Sequence, residues 1–358
     1  MSRKRYLLSL VLIIGILCAI WSAPAQAQGG ALSDLLRQAP DNDAARRIVW
    51  FSSLGALKRA LNIQVKSREA LDRMPMMRRA TYLSEVGRLV YFSEQSGLAR
   101  APEWLATFGI NSFAIERELV VGEAPDQVAI LEGAFDANSI GGALQSLGYQ
   151  AQAINGTPIF ALGDDNRAPA GAVGSLAADK MNRIALLPNR LIAAASTASL
   201  TAALAPAPSL ADNPIYAALA NGLEMHNTLI CAVLFDGAFA ARKLVGNAPS
   251  APSGLPAYQA GAIGYSRSGK ARILTIALAY ADPGAAERAA KVLIERLGSY
   301  ISPNQPERPL FANWEFSVEV AQVGGVTLLK ASANMPKDSD VAWVALVQAR
   351  DLGFLRPQ

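Results

Sequence analysis

An α+β fold is predicted, with antiparallel hairpins interleaved with helices and a mostly helical segment ahead of them. Three observations lead to it. Apolar, strand-length runs meet in pairs at turn dipeptides: Asn155-Gly156, Pro188-Asn189, Ser268-Gly269 and Gly324-Gly325. Asp136 and Asp282 each open a helical pattern directly after a hairpin. The order hairpin, helix, hairpin, helix then recurs, with Ala134-Phe135-Asp136 matched by Tyr280-Ala281-Asp282. This pattern points to two related units and a duplication, as one long sheet or two packed sheets, with helices on one face in a two-layer arrangement.

The elements follow in order. Residues 1–27 read as a signal peptide. Arg3, Lys4 and Arg5 are its positive end, Tyr6 to Trp21 its apolar run, and Ala25-Gln26-Ala27 the small residues a signal peptidase needs. Cleavage near Ala27 sends the chain from Gln28 onward to a periplasmic or extracellular location. The run of about 16 residues falls short of the roughly 20 that span a hydrocarbon core, so an uncleaved anchor facing outward is the alternative. Cys18, preceded by Leu17 inside the apolar run, does not suit lipidation.

Residues 28–110 form the mostly helical segment. Asp41-Asn42-Asp43 starts a turn or helix, Arg47 to Ser52 is a strand, and Ser53 to Leu61 is a helix. Ser67 to Met77 and Arg79 to Phe92 carry helical patterns interrupted around Pro75, and Pro102 begins a short helix.

Residues 111–212 make the first α+β unit. Phe113 to Val121 and Gln127 to Phe135 are strands; Asp136 caps a helix from Ala137 to Leu147. Two hairpins and a short helix opened by Thr197 complete it, with a flexible Gly/Ala/Pro stretch between the hairpins. Residues 213–358 make the second unit. Its helix from Asn213 leads into the continuous apolar run Thr228 to Phe235, and a loop spans Gly246 to Pro256. Two hairpins follow, separated by a helix from Asp282-Pro283, and a last helix runs from about Ser339 to Leu352.

Composition narrows the function. The whole chain carries +4, but its leader holds three positive and no acidic residues, leaving about +1. Without a Lys/Arg run or a basic stripe, nucleic acid is not an expected partner. No later stretch is long and apolar enough to be a transmembrane helix of the mature chain. Cys231 is the only cysteine left after cleavage, so no internal disulfide is expected, and its apolar surroundings place it in a core strand.

No catalytic, cofactor-binding or metal assignment emerges. His226, the only histidine, would have to serve any Ser-His-Asp arrangement, yet Gly264-Tyr265-Ser266-Arg267-Ser268 lacks the second glycine and the strand-to-helix turn of a nucleophile elbow. Asp41-Asn42-Asp43, Asp164-Asp165 and Asp338-Ser339-Asp340 lack EF-hand spacing and read as solvated turns. Met74, Met76 and Met77 offer thioethers for Cu(I), but Pro75 and Arg78-Arg79 read more simply as a helix junction. Asn155-Gly156-Thr157 matches a glycosylation acceptor and a tight turn equally well, and Trp104, Trp314 and Trp343 suit a core as well as an interface.

The expected function is therefore that of an exported, non-catalytic binding or scaffolding protein of the bacterial envelope or surface, partnered by an envelope protein or a hydrophobic ligand in an apolar pocket. The alternative is an extracytoplasmic hydrolase using carboxylates for acid–base work. Its candidates are Glu116, Glu118 and Glu132 in neighbouring strands, where the period of two puts Glu116 and Glu118 on one face. A solvated sheet face explains the same three residues.

Overall fold

The computed structural model describes residues 30–89, 100–225, 227–244, 254–336, 339–348 and 350–357. The leader, His226 and most of the 246–256 loop lie outside the described residues. Twelve strands form one antiparallel sheet: β1 (Ile48–Ser52), β2 (Ile115–Val121), β3 (Val128–Gly133), β4 (Gln150–Ile154), β5 (Thr157–Ala161), β6 (Arg183–Leu187), β7 (Arg190–Ala194), β8 (Thr228–Asp236), β9 (Ala260–Ser268), β10 (Ala271–Tyr280), β11 (Phe316–Val323) and β12 (Val326–Asn334). Their order across the sheet is β11-β12-β10-β9-β8-β1-β2-β3-β7-β6-β5-β4.

The single sheet settles the choice between one and two. Strand β1 lies at its centre, with Trp50 opposite Val120 of β2 on one side and Val233 of β8 on the other. The strand in the mostly helical segment thus lies within the sheet, between a strand of residues 111–212 and one of residues 213–358. Central strands are buried on both faces, which is why Ile48 to Ser52 and Leu229 to Phe235 read as unbroken apolar runs.

Helices cover both faces of that centre, a correction to the two-layer expectation. One face packs Ile48, Trp50, Val233 and Ile263 beneath α3 (Leu54–Ala60), α6 (Ala101–Phe108), α7 (Ala137–Ser146) and α12 (Pro283–Ser299). The other packs Val49, Phe51, Leu119 and Leu234 beneath α1 (Ala31–Leu36), α9 (Thr197–Leu204) and α10 (Pro214–Glu224). The peripheral strand β11 alternates between half-buried and exposed positions, as an edge with one covered face should.

Helix starts follow their caps. Asn42 accepts from Ala45 N at 2.9 Å to start α2 (Asp43–Arg47), and Ser53 accepts from Ala56 N at 3.2 Å to start α3. Ser67 does the same for α4 (Arg68–Asp72). Asp282 accepts from Gly284 N and Ala285 N, with Pro283 at the first position of α12. At Asn155-Gly156 both residues take positive φ, +49° and +80°, as a two-residue turn requires.

Three further details depart from expectation. The break at Pro75 is real, but α5 runs from Met76 to Val86, three residues earlier than expected. The stretch read as flexible holds α8 (Gly171–Ala177). A short helix α11 (Gly237–Phe239) follows β8, and the last helix is broken into α13 (Asp340–Trp343), a wider turn over Val344–Gln348 and a tight turn at Gly353–Leu355. The hairpins read from sequence all form: β2–β3, β4–β5 and β6–β7 in residues 111–212, and β9–β10 and β11–β12 in residues 213–358.

Buried phenols give a pH prediction. Tyr82, Tyr149, Tyr216, Tyr258, Tyr265, Tyr280 and Tyr300 all have raised pKa values, with burial the leading cause at each. A raised tyrosine pKa means the unfolded chain loses its proton first, so stability holds below about pH 10 and falls above it. Each titrating phenol steepens the fall by at most about 1.4 kcal/mol per pH unit. Lys58 works in the opposite direction, because burial lowers its pKa, but one lysine cannot offset seven phenols. Tyrosinate absorbance is expected to rise in one cooperative step that coincides with loss of the near-UV dichroism. Independent, gradual ionisation with the fold intact would contradict this.

Candidate functional site

A cleft of about 540 Å³, inside the range common for small-molecule sites, opens beside α3. One wall is the exposed side of α3 and the segment after it. Asn62 takes a positive φ of +51° and ends the helix, and Ile63 N donates to Lys58 O at 2.9 Å. The chain then runs extended, with Ile63 and Val65 buried and Gln64 and Lys66 exposed. The other wall is the approach to β2. Asn111 Nδ2 donates to Lys66 O at 3.0 Å and its Oδ1 accepts from Phe113 N at 3.0 Å, which clips the two walls together.

Charge is concentrated here. Lys58, Arg59 and Lys66 face a single carboxylate, Glu116. Lys58 Nζ donates to Phe113 O at 2.7 Å and lies 3.6 Å from Glu116 Oε1. Arg59 Nη1 is 3.7 Å from Glu116 Oε2. Burial holds the Lys58 ammonium below its ordinary pKa, and Glu116 partly restores it. Arg59 is largely exposed, and the Lys66 ammonium makes no hydrogen bond or ion pair among the described residues. Gly55 gives Glu116 its place, since a Cβ there would overlap the carboxylate.

Gly133 fixes the cleft's far corner. A Cβ on it would overlap the Ala114 carbonyl oxygen and stand 3.1 Å from Ile115 Cα, where β2 carries an irregularity between Ile115 and Arg117. Backbone cannot swing aside as a side chain can. Gly133→Ala is therefore expected to cost about 1–3 kcal/mol in urea unfolding. An unchanged midpoint would show that the approach to β2 adapts freely.

The carboxylates singled out from sequence are divided. Glu116 and Glu118 share the face covered by α3, as the period of two requires. Glu118, opposite Leu131, is buried at 1% exposure and is not a solvated residue. Glu132 is on the other face, opposite Arg117, which is its ion-pair partner; Gln38 Nε2 also donates to it at 2.6 Å. Glu116 and Glu132 do border a second depression of about 480 Å³ at the strand ends, with Arg117 and Arg190. Glu116 stands beside Lys58 and Arg59, and Glu132 beside Arg117.

The remaining candidates are placed as follows. Cys231 is buried, its Sγ 3.4 Å from Arg88 O. Ser266 is buried within β9, away from any strand-to-helix turn. Met74 packs partly buried against the core, whereas Met76 and Met77 are 71% and 72% exposed, so the three thioethers do not share one site. Asp165 is taken by Arg183 at 2.6 Å and Thr197 N at 3.1 Å, and Asp164 lies 3.5 Å from Arg167. Trp104 and Trp343 are core residues, and Trp314 stacks on Phe316. Among the described residues no group of three His, Cys, Asp or Glu could hold a metal ion, and no helix is long and apolar enough to cross a membrane.

A second concentration of charge is enclosed. Glu85 on α5 lies 2.9 Å from Arg88 and 3.1 Å from Arg267, and accepts from Tyr265 OH at 2.5 Å. Trp343 Nε1 donates to Arg88 O at 2.9 Å above it. With the side chains of Glu85, Arg88 and Arg267 only 8%, 5% and 11% exposed, this cluster ties the α4–α5 segment to the sheet.

Sequence would not have selected Lys58, Arg59 or Lys66, which look like the polar side of a helix and a loop. Only Glu116 carried a signal, as one member of an acidic pair. No family model and no curated protein matches the chain. Crystal forms I, III and IV of TP0453 resemble it with TM-scores of 0.38, 0.37 and 0.36 and sequence identities of 6%, 9% and 8%. These alignments cover 87%, 86% and 84% of this chain and 96%, 95% and 93% of theirs, a similarity too low to assign a fold family or a function.

Proposed function

We propose that this chain is an exported protein of the bacterial envelope or surface that holds a ligand in the Lys58–Glu116 cleft without turning it over. The observation that carries the reading is the cleft itself. Its walls are clipped by Asn111, its carboxylate is fixed by two cations, and its volume suits a small molecule. The leader supplies the address. The two hairpin-and-helix units, read as products of duplication, supply the rigid sheet on which β2 and α3 present the site.

A ligand that binds only the folded state raises its melting temperature. Small-molecule extract of the source envelope is expected to raise the melting temperature of the mature protein, but not that of Ala134→Phe, which narrows the cleft. The N-terminal residue of protein recovered outside the cytoplasm should be Gln28. Equal shifts in both proteins would remove the cleft from the account, and an intact Met1 in the membrane fraction would favour the anchored form.

The hydrolase reading retains one observation, the shared depression bordered by Glu116 and Glu132. Glu116→Gln and Glu132→Gln separate the two readings. Under the binding reading, neither variant abolishes a turnover of any extract component.

A further inference from the structure

We propose that the cleft takes a small organic anion, a carboxylate or a phosphate monoester on an apolar stem, with Arg59 and Lys66 receiving the charge and Ala114 and Ala134 meeting the stem. The inference rests on the cleft being a ligand site and adds the class of ligand.

The charge count sets the sign. Lys58 and Glu116 already satisfy one another across 3.6 Å, and Lys58 spends a further donor on Phe113 O. Arg59 pairs with Glu116 through one nitrogen at 3.7 Å and is 74% exposed, which leaves its other donors open to a ligand. Lys66 adds a second cation with no described partner. Two positive charges at the mouth against a neutralised pair on the wall repel cations and gain nothing from a neutral ligand. They attract an oxyanion, which the Arg59 fork can meet with two parallel hydrogen bonds.

The floor sets the rest. Ile63, Val65 and Phe113 are buried at 4%, 1% and 3% exposure, and Ala114 and Ala134 close the far end. The apolar surface open to a ligand is that of the half-buried Ala114 and the exposed Ala134, which a bare inorganic ion leaves wet and a carbon stem covers.

The mature full-length protein would be titrated calorimetrically with octanoate, octyl phosphate, octanol, octylammonium and inorganic phosphate. Octanoate and octyl phosphate are expected to bind one to one, at least tenfold more tightly than octanol, octylammonium or inorganic phosphate. Their ratio tells a carboxylate site from a phosphate site. The combined Arg59→Ser and Lys66→Ser variant, at two exposed positions, should lose at least tenfold for both anions while keeping its melting temperature. Octanol binding as tightly as octanoate, or unweakened anion binding by the variant, overturns the proposal. If no anion binds while envelope extract still stabilises wild type but not Ala134→Phe, the anion class falls and the cleft survives as a ligand site.

Discussion

Replacing Glu85 by Ala is expected to lower the unfolding free energy by about 3–5 kcal/mol, the range for removing one partner of a buried ion pair. The cause is what remains. Arg88 and Arg267 would be left facing each other across the vacated position, both almost wholly removed from water, and the Tyr265 hydroxyl would lose its acceptor. Out of a total of about 5–15 kcal/mol, that loss is large. Urea unfolding followed by circular dichroism measures it. A second variant separates charge from packing: Glu85→Leu with Arg267→Met removes an opposite pair at once and should recover the part of the loss that Arg267 causes, while Arg88 still lacks Glu85. A single-variant cost below about 1 kcal/mol would mean that water reaches the cluster and screens it.

Arg296→Met is expected to cost about 2–4 kcal/mol and to release the C-terminal segment before the rest of the fold. Arg296 lies on the inner side of α12 at 5% exposure, and its Nη1 donates to Phe354 O at 3.0 Å and Arg356 O at 2.7 Å. Burial lowers its pKa, Tyr258 and Tyr280 oppose that shift, and the guanidinium stays charged at any working pH. Methionine fills most of the volume but offers those carbonyls no donor. Neighbouring bonds limit the damage: Tyr300 and Ser302 donate to Asp351, and Tyr258 OH donates to Leu355 O at 3.2 Å. Hydrogen exchange should therefore show amides of residues 351–356 opening in Arg296→Met while those of β8 and β9 keep their protection. Equal loss across the sheet would show that the tail is part of one cooperative unit.

Local signals in the chain were strong wherever a turn or a cap forces the backbone. Asn155-Gly156, Asp136, Ser53 and Asp282 each act through their own immediate neighbours, so the hairpins and helix starts could be read directly. What could not be read is long-range. Nothing local in Ile48 to Ser52 says that this strand sits between β2 and β8, because a strand buried on both faces has no polar side to mark its place. The helix Gly171–Ala177 escaped notice because its Gly and Ala residues give little periodic contrast. The cleft has the same cause. Lys58 and Phe113 are 55 positions apart, and neither residue type announces the other. Glu116 stood out only through its spacing from Glu118, and the sheet then gave the two residues different fates, one at the cleft and one in the core.

A ligand-holding Lys58–Glu116 cleft is occupied when the protein is at work. Native mass spectrometry of the mature protein, purified gently from its own envelope and culture fluid beside Ala134→Phe, tests it most directly. The wild type is expected to carry a single small-molecule adduct that is absent from the variant. A bare wild-type chain, or the same adduct on both proteins, would contradict it.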